Sequence, residues 1–328
     1  LTSITIPESV TSIGQDAFKD TDLEEVKLYT NTITKLNNNR ENKISTQNDS
    51  TLSSFYGSGK VTISINRFKY STSDGITTAR IIGVGTLKKG AASNMRGDTT
   101  KVIIEGYSSI EGHYWGDTGA FVGEEWFKLT SIHIGDSVTD IGSNPFNSDK
   151  DNSPALKNLY IGNGVKKMES GTFVRLQNLA KVEFGKNSQL TTLPYKCFAF
   201  NFALESINIP SSVTDIEDQV FDTCHNLKSI IIPEGVTRIE YGAFAGTGFE
   251  TITIPQGVTS IGQNAFGRGV GWLGPNHSYD SKLKSVILYL DTITTLNSKG
   301  ADPKIPTQNG STLSSFYGSR EVTITIIN

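Results

Sequence analysis

The sequence predicts a β-rich solenoid, in which short strands wind into coils that stack into one curved parallel sheet, with irregular or short helical segments on the other side. Three observations carry this. Six segments, 1–18, 129–146, 156–173, 204–221, 227–244 and 249–266, share the template L-x-x-I-x-I-P/G-x-x-V-x-x-I-x-x-x-x-F; 179–198 fits with two extra residues, and 23–36 and 283–296 fit its first half. The spacing between starts is 22 residues from Leu1 to Leu23 and 23 from both Leu156 to Leu179 and Leu204 to Leu227, a period that marks stacked repeats. At 328 residues the chain exceeds what one compact core usually holds, which an elongated architecture relieves.

Each template position has a physical reading. The L-x-x-I-x-I stretch alternates at period two, so Ile4 and Ile6 turn to the same, inward side of a short strand. Pro7, Pro210, Pro233 and Pro255 follow at once, and Pro there removes a ladder donor and stops the strand. Val10 and Ile13 recur three apart and bring the return segment back over the core, and Phe18 and its equivalents fill the wide end of the coil. One coil cannot bury its own apolar side, so coils stack with like residues in ladders, and the period falls within the leucine-rich-repeat range.

A larger duplication lies over the small one. Ser50 to Ser58 (STLSSFYGS) recurs identically at Ser311 to Ser319, and Thr46-Gln47-Asn48 recurs as Thr307-Gln308-Asn309. Residues 1–66 therefore read as the C-terminal part of one repeat cassette, closing on a strand around Val61, Ile63 and Ile65, and 67–328 as a second cassette closing at Val322, Ile324 and Ile326. Residues 68–85, with Asp74-Gly75 as a turn between alternating residues, read as a β-hairpin cap on the second cassette. The alternative is one continuous solenoid over 1–328. The start inside a cassette, without a charged and apolar leader, is expected of a mature segment of a longer tandem protein.

The L-x-x-I-x-I-P-x-x-V-x-x-I-G-x-x-A-F pattern, clearest in 1–18, 227–244 and 249–266, resembles the BspA-like leucine-rich-repeat family of microbial surface proteins. Cys224-His225-Asn226 before Leu227 matches the family's habit at the end of a repeat. Position nine departs from other leucine-rich repeats: Ser9, Ser137, Gly164, Ser212, Gly235 and Gly257 stand where an asparagine ladder would run. The resemblance implies a secreted or wall-attached, extracellular protein that binds host matrix proteins or other cells, and no mapped binding residue that could be carried over.

Composition narrows the chemistry. Thirty basic and 33 acidic residues leave a net charge of −3, which supplies no footprint for nucleic acid, and no apolar run reaches the roughly 20 residues that cross a bilayer. The four His fall in different coils with no metal-ligand spacing, Cys197 and Cys224 read as core thiols, and no nucleophile elbow, P-loop or dinucleotide fingerprint occurs. The reading is therefore a non-enzyme without cofactor or metal, taking a protein or glycan ligand on host or neighbouring cells; a structural spacer carrying other domains is the alternative.

Candidate binding residues come from what the coils present outward. Strand positions three and five face away from the core and are mostly small and polar; Tyr160, Ile231 and Ile287 are the exceptions. Two Gly-rich insertions, 111–119 and 267–282, hold Trp115 and Trp272, which either contact a ligand or cover a local gap in the core. Arg96-Gly97-Asp98 is the integrin-recognition tripeptide, in a polar stretch before the strand at Val102 to Ile104.

Overall fold

The computed structural model describes residues 3–7, 9–14, 17–18, 21–29, 33, 35–36, 50–52, 61–66, 68–83, 86–87, 95, 98–112, 128–146, 155–269, 281–299, 304–313 and 322–327, with the backbone alone for 50–52, 61–66, 68–69 and 312–313. The chain divides into two compact units, Leu1–Ser71 with Ala79–Val84, and Thr72–Thr78 with Gly85–Asn328.

In the first unit the strands Ser3–Thr5, Glu25–Tyr29 and Val61–Asn66 pair in parallel, with Ile4, Val26 and Ile63 in one row, and Ser50–Leu52 closes the sheet antiparallel to the last. Ile6, Ile13, Leu23, Val26 and Leu28 form its core, against which Val10 and the half-buried Phe18 pack. The hairpin strands Phe68–Ser73 and Ile76–Ile82 join through Asp74 and Gly75, whose φ values of 52° and 74° are those of a tight two-residue hairpin turn.

The second unit is the predicted solenoid. Thr99–Glu105, Ser131–Ile134, Asn158–Ile161, Lys181–Phe184 and Ser206–Ile207 lie in parallel register, placing Val102, Ile132, Leu159, Val182 and Ile207 in one buried row. After an interruption, Thr251–Ile254, Ser285–Tyr289 and Val322–Ile327 continue in parallel and Thr312–Leu313 closes antiparallel. Both terminal sheets share a pairing: Thr62 lies opposite Thr51 and Thr323 opposite Thr312. The helix Leu290–Ser298 follows Tyr289 where the template breaks off, and buries Thr292, Ile293 and Leu296.

Residue seven adds a bond to the strand ladder only where it is glycine. The N–H of Gly135, Gly162 and Gly185 donates to Ile104, Ile134 and Ile161 of the preceding coil at 2.9, 2.9 and 2.8 Å. A Cβ at Gly162 would lie 2.8 Å from Gly135 C and from Ile134 O, so the close approach requires glycine. Pro210, Pro233 and Pro255 have no such donor. Lys181–Phe184 before Gly185 has four residues, Ser206–Ile207 before Pro210 two, and 228–233 forms no strand, yet Thr251–Ile254 before Pro255 again has four, so proline withholds one bond without fixing the length of the strand. In both kinds of coil the carbonyl of residue seven accepts the N–H of the template Val, as Gly135 does from Val138 at 3.2 Å and Pro233 from Val236 at 3.0 Å, closing the turn that starts the return.

The other side of the coil is more regular than the irregular segments expected there. Two-residue strands such as Asp140–Ile141, Lys167–Met168, Asp215–Ile216 and Arg238–Ile239 form further parallel ladders. The template Thr after Val backs them: Thr214 and Thr237 each use both N–H and hydroxyl on one carbonyl of the preceding coil, Thr191 at 2.8 and 3.3 Å and Thr214 at 2.8 and 3.3 Å.

A further ladder runs through the turn at the template Phe. Gly171, Lys196, Gln219 and Gly242 two residues before the Phe, and Arg175, Phe200, Thr223 and Gly246 two after it, have φ between 55° and 67°. This alternation turns successive N–H groups toward the next coil: Phe173 to Cys197, Phe198 to Val220, Phe221 to Ala243 and Phe244 to Ala265, at 2.8, 3.1, 2.8 and 2.7 Å. Inside it Phe146, Phe173, Phe198, Phe221, Phe244 and Phe266 are fully buried and stack in sequence with centroids 5.4, 5.5, 5.8, 5.3 and 5.5 Å apart.

Removing an interior ring leaves a cavity between two others. Phe244→Ala is expected to cost about 3–5 kcal/mol in denaturant unfolding, the range for buried Phe truncation, and Phe18→Ala less, since Phe18 is only half-buried. At Gly246, where φ is 64° and a Cβ would lie 2.8 Å from Gly269 Cα, alanine combines a left-handed backbone with a backbone clash. Gly246→Ala is therefore expected to lower the urea midpoint more than Gly235→Ala, whose glycine is not left-handed.

Candidate functional site

The strand face that points away from the core carries Tyr160. Its ring stacks on that of His133 in the neighbouring coil, with centroids 4.3 Å apart and planes 10° apart, because parallel register sets His133 directly beside Tyr160. Ile103 lies beside His133 and Glu183 beside Tyr160 in the same row. Glu183 pairs with Lys181 at 2.6 Å, both about half exposed, so the pair adds little to stability. Further along, Ile287 is half-buried in register between Thr253 and Thr325. Ile231 is 85% exposed, in the segment that forms no strand.

These residues do not converge on one pocket. Two coils, those of Lys181–Phe184 and Ser206–Ile207, separate Tyr160 from Ile231. Asp98 is exposed at the turn into Thr99–Glu105 and accepts a hydrogen bond from Thr77 Oγ1 at 3.2 Å, while Arg96 and Gly97 lie outside the described residues. Trp115 and Trp272 also lie outside them.

Two features of this face escaped the sequence reading. The first is the His133–Tyr160 pair, signalled by aromatic rings at position five of adjacent coils. The second is a groove of 390 Å³ beside Ile231, lined by 206–209 and 229–231, which lies where coils ending in Pro210 and Pro233 adjoin. A second groove, of 230 Å³, crosses the return ladder from Thr86 to Lys167, with Glu111, Asp140 and Glu169 along it beside Ile110 and Ile141.

Cys197, Cys224 and His225 are placed in structural roles, while His113 and His277 lie outside the described residues. Cys197 and Cys224 are free and buried, and Cys224 Sγ lies 3.2 Å from the carbonyl of Phe198. Burial pushes both thiols well above the ordinary value of 9.0. His225 stacks on Phe202 with centroids 5.2 Å apart, and burial, then the charge of Lys282, lowers its pKa. Among the described residues no group of three or more His, Cys, Asp or Glu is placed to hold a metal ion, and no helix is long and apolar enough to cross a membrane.

Stacked coils of this period, with a strand, a turn at Pro or Gly and a buried Phe ladder, define a leucine-rich-repeat protein. The chain belongs to the BspA-type leucine-rich-repeat family: the family's model matches residues 1–73, 117–199 and 151–269 in six copies. Among solved structures the chain is similar to a leucine-rich cell surface protein from Faecalibacterium prausnitzii, at 22% identity over 69% of this chain and 70% of that one, with a TM-score of 0.37. It is also similar to the leucine-rich-repeat protein of T. pallidum, at 18% identity over 61% and 86% with a TM-score of 0.42. A leucine-rich-repeat protein from Bacteroides ovatus matches at 20% identity over 69% and 71%, with a TM-score of 0.39. No protein of curated function matches the sequence.

The raised thiols have a defined pH consequence. In the unfolded chain each ionises near 9.0 while the folded form holds it protonated, so this stability is complete below that value and is lost as pH rises above it. The urea midpoint is expected to fall between pH 8 and pH 10, and to fall less in the Cys197→Ala/Cys224→Ala double variant. At pH 8 neither thiol of the folded chain is expected to react with a thiol reagent until urea is added.

Proposed function

We propose that this chain is a non-enzymatic binding module displayed outside the cell, which recognises host matrix proteins or protein and glycan ligands on neighbouring cells. The observation that carries the reading is the outward strand face, whose side chains are mostly small and polar and from which the His133–Tyr160 stack and Ile231 stand out. Ile231 is exposed and the two rings of the stack are half-buried, and apolar groups presented on an outward face mark recognition surfaces. Membership of the BspA-type family supports the location outside the cell. Arg96, Gly97 and Asp98 form a second candidate contact, Trp115 and Trp272 a third in their Gly-rich loops, and Ile287 extends the strand face. A spacer role is the alternative, favoured by the duplicated STLSSFYGS segments and the matching terminal sheets, which support a division into cassettes at 1–66 and 67–328.

The test is an array of matrix proteins, glycans and host receptors probed with the chain. Saturable binding to one class is expected; silence across the array turns the assignment to a spacer. If the tripeptide is functional, Asp98→Glu is expected to abolish binding to integrin-bearing cells, and because the change barely alters charge or stability at an exposed position, the loss would report recognition and not folding. Undiminished adhesion would remove the tripeptide from consideration, and Trp115→Ala and Trp272→Ala would then be expected to cost about 2 kcal/mol of binding energy if either is an anchor.

A further inference from the structure

The parallel sheet of the second unit is breached at one place. Between Ser206–Ile207 and Thr251–Ile254 the segment 228–232 occupies the strand position of its coil, yet among the described residues it makes no backbone hydrogen bond to either neighbour. The breach is confined to this side. The same coils are joined on the return ladder, Thr237 N–H to Thr214 O at 2.8 Å, and at the Phe turn, Phe221 N–H to Ala243 O at 2.8 Å. In the intact sheet Ser206 N–H reaches Ala180 O and Gly185 N–H reaches Ile161 O. Continued by one coil, that pattern would carry Ser229 and Ile231 N–H to Glu205 and Ile207 O; neither bond is made, and Pro233 has no N–H for Ile209 O. Asn208 also leaves the ladder early, its side-chain oxygen accepting the N–H of Phe184 at 3.3 Å.

Resting on the binding role proposed above, we infer that this breach is a docking groove for a short extended segment of a partner protein, which adds its backbone to the unpaired strand edges and covers Ile231. The groove of 390 Å³ is bounded by 206–209 and 229–231, whose ladder bonds to one another are unmade, and an extended polypeptide matches the alternation of such strand edges. Ile231 stands 85% exposed beside it, where an unpaired edge with an apolar side chain calls for cover. No lining residue is charged, so the favoured segment is uncharged, alternating β-branched with small polar side chains. A glycan would leave Ile230 and Ile231 without apolar partners.

The experiment uses the whole chain and synthetic seven-residue peptides alternating Thr with Val or Ile, each with a Gly-Lys tail for solubility. In the free chain, amide exchange at Ile207, Ile209, Ser229 and Ile231 is expected to be fast, and to slow when peptide is added. Methylating alternate peptide nitrogens, or the exposed substitution Ile231→Asp, is expected to weaken binding about tenfold, the scale of losing a central contact. Exchange in the free chain as slow as at Leu159 and Val182 would close the groove and overturn the inference. So would the absence of peptide binding, equal binding of methylated peptides, or equal binding by Ile231→Asp with an unchanged urea midpoint. Self-association of the free chain that Ile231→Asp abolishes would identify a second copy as the occupant, overturning the partner segment. An array ligand that binds Ile231→Asp undiminished would leave the binding role standing and overturn the groove alone.

Discussion

A coil of this solenoid cannot satisfy its own backbone, and the rest of the fold follows from how it hands those hydrogen bonds to its neighbours. Strand and return segment give N–H groups to the preceding coil, as Gly162 does to Ile134 and Thr237 to Thr214, whereas the turn around the template Phe gives them to the following one, as Phe198 does to Val220. The reversal depends on residues held at positive φ on both sides of each Phe. Leaving such groups unpaired inside a protein costs about as much as a lost hydrogen bond each, so register, ring stacking and the burial of Ile and Leu rows are fixed together. The phenylalanines fill the space that these turns enclose.

Against that scaffold, residue seven is the main variable. Glycine donates one more bond to the strand ladder and lets two backbones approach closely; proline closes the same turn with its carbonyl and withholds that bond, although the strand before Pro255 keeps four residues. One proline coil is absorbed, as the two-residue strand before Pro210 shows, while the next, ending in Pro233, leaves the sheet altogether. The outward face inherits this difference: it is continuous and aromatic around Tyr160, and open around Ile231.

Much of the fold was legible because it rests on periodicity, which a single chain displays. The stacked Phe146 to Phe266, the Asp74-Gly75 turn and the strand-stopping prolines all follow from spacing and local backbone chemistry. The left-handed turn was half legible: Gly171, Gly242, Asn144 and Asn264 before the Phe signal it, but Lys196 and Gln219 occupy the same conformation without a residue type that announces it. The return ladder was hidden because the template Thr acts through a carbonyl of another coil. The His133–Tyr160 contact and the opening beside Ile231 are likewise properties of neighbouring coils, and depend on register that no one repeat contains. Arg96, Gly97, Trp115 and Trp272 sit in segments that depart from the template, where periodicity carries no information.

The coil junction at 204–232 is joined by the return ladder and the Phe turn, whereas the junction just before it, between 179–198 and 204–221, has the strand ladder as well. Under tension along the stacking direction, bonds that open together share a load, and a junction with fewer of them yields at a lower force. A module that ties one surface to another would thus open at 204–232 before it opens at the junction with 179–198, with the phenylalanine column still closed behind it.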